Sequence, residues 1–131
     1  MARRPKREAV AGPSPRQLRA GEAIRRALVE ALAEGHFRDP ELAGASITVS
    51  EVRSSPDLRR ALCFVLPLGG RDAAPTLAAL KRAAAYLRSE VARRVQLRVA
   101  PELHFELDRS FDEGTRIEAL LRMPGVKRDA E

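Results

Sequence analysis

The chain has 131 residues, 44% of them hydrophobic and 32% charged, which is enough for one domain with a real core and too little for two. Its longest strongly apolar run, residues 61–66, is far shorter than the roughly 18 residues that mark a membrane span, and its single cysteine, Cys63, excludes an internal disulfide. Lys and Arg outnumber Asp and Glu by 24 to 18, and the resulting net charge of +6 points to anionic partners.

Residues 1–15 read as a disordered basic arm. Arg3, Arg4, Lys6 and Arg7 come first, and Gly12-Pro13-Ser14-Pro15 follows with nothing apolar to bury. From about Pro15 the pattern turns helical, with Leu18, Ile24, Leu28, Ala31 and Leu32 largely on one face and Gly35 as the stop. Residues 46–52 are rich in β-branched side chains and predict a strand in which Ile47 and Val49 face inward. A second strand is predicted from Arg60 to Leu66. The turn chemistry of Ser54-Ser55-Pro56-Asp57 makes the two an antiparallel pair.

Leu77, Leu80, Ala84, Leu87, Val91 and Val95 step by three or four and predict one long helix, or two in near-continuation, over about 74–96. Arg82, Tyr86 and Arg93 fall opposite that stripe. Leu103, Phe105 and Leu107 then alternate with His104, Glu106 and Asp108 in a third strand, and Ile117, Leu120 and Leu121 mark a short last helix. A flexible tail of residues 124–131 follows. The order is helix, strand, strand, helix or helix pair, strand, short helix. It predicts an α+β sandwich whose three-stranded sheet carries helices on one face and leaves the other partly polar.

The positive charge is not spread evenly. Residues 1–19 carry +5, residues 81–98 another +5, and the remainder is at −4, so two basic patches sit on a slightly acidic body. Such patches suit polyanion binding.

Catalytic constellations are scarce. His36 and His104 are too far apart for a metal spacing and read as surface histidines. Cys63 lies inside a strand as a small hydrophobe, with a nucleophilic role the lesser reading. Asp108, Asp112 and Glu113 favour the N-terminus of a following helix over an acid–base pair. Gly69-Gly70 lacks the rest of a phosphate loop. One Tyr, four Phe and no Trp, with Phe64 and Phe105 at strand positions that a core would claim, disfavour base stacking as the mode of RNA recognition. Backbone recognition by positive helices and arms remains.

The order and spacing of Asp39-Pro40-Glu41-Leu42, residues 47–52, Ser55-Pro56-Asp57-Leu58-Arg59-Arg60-Ala61, residues 80–88, Leu97-Arg98, residues 101–108 and Gly114-Thr115-Arg116-Ile117 resemble the ribosome-binding factor A family of bacterial small-subunit assembly factors, from about Arg16 to Met123. The resemblance implies a type II KH-like fold of order αββααβ over residues 16–123. It implies binding to the 30S subunit and 16S ribosomal RNA during late maturation and 16S rRNA processing, with a role in growth at low temperature. The family has an Ala-x-Gly kink between its central helices. Here Ala83-Ala84-Ala85 stands at those positions, and alanine favours an unbroken helix by about 1 kcal/mol over glycine.

The expectation is a non-catalytic, monomeric, cytoplasmic rRNA-binding factor that uses no metal or cofactor. Phosphates would be gripped by Lys81, Arg82, Arg88, Arg93 and Arg94, with help from Arg3, Arg4, Lys6 and Arg7. Two other readings stay open: an adaptor or homodimer using the open sheet face, and a generic RNA chaperone acting through the arm.

Overall fold

The computed structural model describes residues 12–68 and 73–110. Arg3, Arg4, Lys6, Arg7, the predicted last helix and the predicted tail lie outside the described residues. Ser14 starts the first helix, α1 (Pro15–Glu34), through a reciprocal cap: its hydroxyl accepts from the Gln17 amide at 3.1 Å while Gln17 Oε1 accepts from the Ser14 amide at 2.9 Å. Pro15 occupies the first turn, where its missing N–H costs nothing. At the other end the Gly35 amide donates to the Ala31 carbonyl at 2.9 Å, in extended backbone. Ile24, Leu28 and Ala31 are buried as the periodicity requires. Leu18 departs from it, being 59% exposed in the first turn.

Strands β1 (Ile47–Ser54) and β2 (Arg60–Pro67) pair antiparallel, and β3 (Glu102–Leu107) pairs parallel to β2, giving the order β1-β2-β3. A bulge between Val49 and Glu51 shifts the register so that Val49 lies opposite Val65 and Val52 opposite Cys63. The extra residue keeps both valines on the inner face, which strict alternation would not allow. That face also holds Ala61, Leu103 and Phe105, all buried. Phe64, which the sequence places in the core beside Phe105, faces the other way because its neighbours Cys63 and Val65 claim the inner side. There Phe64 lies under the Arg53 guanidinium, 4.8 Å from ring centroid to Cζ. Arg53 also pairs with Glu51 at 2.9 Å, so this open face is polar and internally matched around its aromatic ring.

The predicted 74–96 stripe becomes two helices, α2 (Ala73–Arg82) and α3 (Ala84–Arg94). The break falls at Ala83, whose φ of −89° and ψ of 5° leave the helical region. Its amide is shared between the carbonyls of Ala79 (3.0 Å) and Leu80 (3.1 Å), and the ladder resumes when Leu87 donates to the Ala83 carbonyl at 2.9 Å. Packing supplies the reason. α2 lies on β2 and β3, whereas α3 packs on both β3 and α1. Leu80, Leu87 and Val91 are all at 0% exposure, an arrangement worth more than the roughly 1 kcal/mol by which alanine prefers a straight helix. The element order and one-sided helical layer make this a type II KH-like α+β sandwich.

Candidate nucleic-acid interface

The cations predicted on the helix pair meet different surroundings. Lys81 is exposed at the end of α2, on the rim of a 470 Å³ hollow that also presents Glu51, Arg53, Glu106 and Asp108. Arg82 is exposed too, yet its Nη2 and Nε donate to Asp39 Oδ2 at 2.7 and 3.1 Å, and this pairing holds the Asp39 carboxyl below the usual range. Arg93 pairs with Glu90 at 2.6 Å. Arg88 donates twice to the Ala100 carbonyl, at 2.8 and 3.2 Å, and so ties α3 to the loop that leads into β3. Arg82, Arg88 and Arg93 are thus solvent-facing guanidinium groups oriented by internal partners, with donor capacity left over.

Arg94, expected among the phosphate-facing cations, is turned into the fold instead. Its side chain is 16% exposed and meets Glu34 at 2.9 Å, Glu90 at 3.1 Å and Glu30 at 3.2 Å. Two of those carboxylates belong to α1, so Arg94 clamps α3 to α1 and its charge is consumed there. The physical cause is position: Arg94 sits one turn beyond Glu90, on the flank of α3 that packs against α1. Ala83, Ala84 and Ala85 place the break between Arg82 and the α3 arginines.

A second basic group was not legible as a unit. Arg16 and Arg19 from the start of α1, Arg59 from the β1–β2 turn and Arg98 from the α3–β3 loop line one 620 Å³ cleft with a floor that includes Ala20, Ala23 and Leu97. All four are exposed. Among the described residues none of them is seen paired with a carboxylate. The cleft's one acid among the described residues, Asp57, is engaged in the turn itself, where Oδ1 accepts from Ser55 Oγ at 2.7 Å and from the Arg59 amide at 3.1 Å. These bonds hold its carboxyl below the usual range. Leu58, next to Arg59, has a φ of 61°, a left-handed conformation that costs a branched residue about 1–2 kcal/mol. The hydrogen-bonded turn fixes it there.

Among the described residues, groups suited to bond-making are not brought together; Asp112 and Glu113 lie outside them. Burial pushes the Cys63 thiol up to about 12, so no thiolate forms near neutral pH. His104 Nε2 lies 2.9 Å from Glu102 Oε1 on the solvent side of β3. Asp108 accepts from Ser50 Oγ at 2.6 Å and from the Ser110 amide at 2.9 Å, a local cap. Among the described residues no three His, Cys, Asp or Glu side chains are placed to hold a metal ion, and no helix is long and apolar enough to cross a membrane.

The model of the family described as ribosome-binding factor A matches residues 16–121, a span that includes both arginine groups and the whole sheet. The chain belongs to the ribosome-binding factor A family. Ribosome-binding factor A of Paramagnetospirillum magneticum is 55% identical over 119 residues, covering 91% of this chain and 84% of that one. The Xanthobacter autotrophicus member is 55% identical over 120 residues, covering 92% and 80%. The crystal structure of ribosome-binding factor A from Thermus thermophilus superposes with a TM-score of 0.60 at 30% identity, over 72% of this chain and 98% of that one. A homology model of the Thermus thermophilus ribosome-binding factor A, fitted into a cryo-EM map of a 30S complex, matches at 30% identity with a TM-score of 0.54, over 68% and 91%.

Proposed function

We propose that this protein is a non-catalytic maturation factor that binds the small ribosomal subunit, contacting 16S rRNA phosphates during late assembly and 16S rRNA processing. The observation that carries the reading is the family match over residues 16–121, the segment that bears the arginine-rich surfaces. A Thermus thermophilus member of that family has been fitted into the map of a 30S complex. Lys81, Arg82, Arg88 and Arg93 form the helix-borne contact, and Arg3, Arg4, Lys6 and Arg7 extend its reach. Arg94 serves the contact only indirectly, by fixing α3 on α1.

Guanidinium groups already steered by Asp39, Ala100 and Glu90 lose little side-chain freedom when a phosphate arrives. Shape and spacing supply selectivity, since positive side chains on a backbone carry no base code. The protein acts as a monomer in the cytoplasm and supports growth at low temperature. Reversing Arg82, Arg88 and Arg93 together to Glu is expected to release the folded protein from isolated 30S particles. Undiminished co-sedimentation of that variant would show that another face makes the contact.

A further inference from the structure

We infer that the cleft between the start of α1, the β1–β2 turn and the α3–β3 loop is a binding site for the sugar–phosphate backbone of single-stranded RNA. This rests on the RNA-binding reading above and adds to it a second contact, distinct from the helix-borne arginines, with its own class of ligand.

Three observations converge on the cleft. Arg16, Arg19, Arg59 and Arg98 meet there without a seen carboxylate ion pair among the described residues, in contrast to Arg82 and Arg93, which have one each, and Arg94, which has three. Four like charges are gathered around one carboxylate, Asp57, which is itself taken up by the turn. The first turn of α1 also holds no acidic residue, so Arg16 stands at the positive end of the helix dipole, where cations are disfavoured, with Arg19 just beyond it. Finally, the strained turn at Leu58 presents Arg59 to the same cleft, and the Arg88–Ala100 hydrogen bonds steady the loop that carries Arg98. Local rules broken together at one place mark a surface shaped for a ligand.

The shape selects the class. At 620 Å³ and concave, the cleft has the scale of a site for small ligands, so an extended strand enters it whereas the convex face of an A-form duplex meets only its rim. Its floor of Ala20, Ala23 and Leu97 offers no aromatic platform. The strand is therefore held by its phosphates and not by stacked bases. Arg88 is a positioning residue for this site, acting through the loop.

The test uses the full chain, a short oligouridylate and a blunt RNA duplex of equal phosphate count, with affinities measured across a salt series. The wild type is expected to favour the oligouridylate. Arg19→Glu, Arg59→Glu and Arg98→Glu together are expected to weaken oligouridylate binding by about tenfold or more and to flatten the slope of log affinity against log salt by about 2, at roughly 0.7 per lost contact to a single strand. Glutamine at the same three positions is expected to give the same flattening without new repulsion, and far-UV circular dichroism checks that both variants fold. Reversal of Arg82 and Arg93, which do not line the cleft, is expected to weaken oligouridylate binding less than the cleft reversal does. An unchanged affinity and slope in the cleft variants, or a wild-type preference for the duplex, overturns the inference. Pelleting with 30S particles separates the two readings. Wild-type pelleting alongside unchanged cleft variants removes the cleft alone, and a cleft effect without wild-type pelleting removes the ribosomal reading alone.

Discussion

Gly21 shows how one contact overrides a local preference. Alanine in a helix interior is ordinarily better than glycine by about 1 kcal/mol. Here a Cβ on residue 21 would stand 2.4 Å from the Val52 carbonyl oxygen, which is backbone and cannot swing aside. Gly21→Ala is expected to destabilise the fold by about 1–3 kcal/mol in urea denaturation, against the sign that propensity gives. Nothing in the sequence marks Gly21 as special, because the constraint comes from the strand that α1 meets. Arg94 is a similar case: its charge was legible, its partners were not. Arg94→Gln is expected to lower the melting temperature more than Arg93→Gln, whose guanidinium is 65% exposed and meets one carboxylate. Arg93 and Arg94 hold the Glu90 carboxyl below its usual range. The stabilisation therefore stands in full above the ordinary glutamate range and fades as pH falls through the lowered value. The difference between wild type and Arg94→Gln is expected to shrink in acid, and thermal melts from neutral to acidic pH check it. Cys63 carries a simpler expectation. Fully buried and with its thiol near 12, it is expected to resist alkylation in the native protein and to react once the chain is unfolded.

At the scale of elements, apolar periodicity was sufficient for the order and approximate bounds of the five segments that became six. Ile24, Leu28, Leu80, Leu87 and Val91 appear in the sequence at helical spacing and in the structure at the centre of the core. Periodicity leaves one helix or two open for the 74–96 stripe, and the family resemblance implies the pair; the residues alone do not decide it, because Ala83, Ala84 and Ala85 are all good helix formers and the break is set by which partners α2 and α3 cover. The bulge at β1 and the outward turn of Phe64 escaped for the same reason: alternation gives a face to each residue only once the register is known. If packing and not residue 85 sets the break, Ala85→Gly is expected to cost about 0.5–1 kcal/mol with the fold unchanged. A gain in stability would mean that the alanine run strains the junction. Leu87→Ala, at 0% exposure beside that junction, is expected to cost about 2–5 kcal/mol.

For the whole molecule, the two positive segments were visible as composition, and the fold decided what each became. Residues 81–98 divide into an exposed set (Arg82, Arg88, Arg93), a structural clamp (Arg94) and one wall of a cleft (Arg98). Arg16 and Arg19, from the N-terminal positive segment of residues 1–19, line that cleft with Arg59. The one available sign was two arginines opening a helix without an acid nearby. If about five phosphates are engaged, log affinity for 30S particles is expected to fall with log salt at a slope near −4, so a fourfold rise in salt weakens binding by a few hundredfold. A salt-independent affinity would remove the phosphate-contact mechanism. The central claim is recognition of the small subunit, and sedimentation tests it most directly. Purified protein mixed with separate 30S, 50S and 70S particles is predicted to pellet with the 30S particles, and equal recovery with all three, or with none, would contradict it.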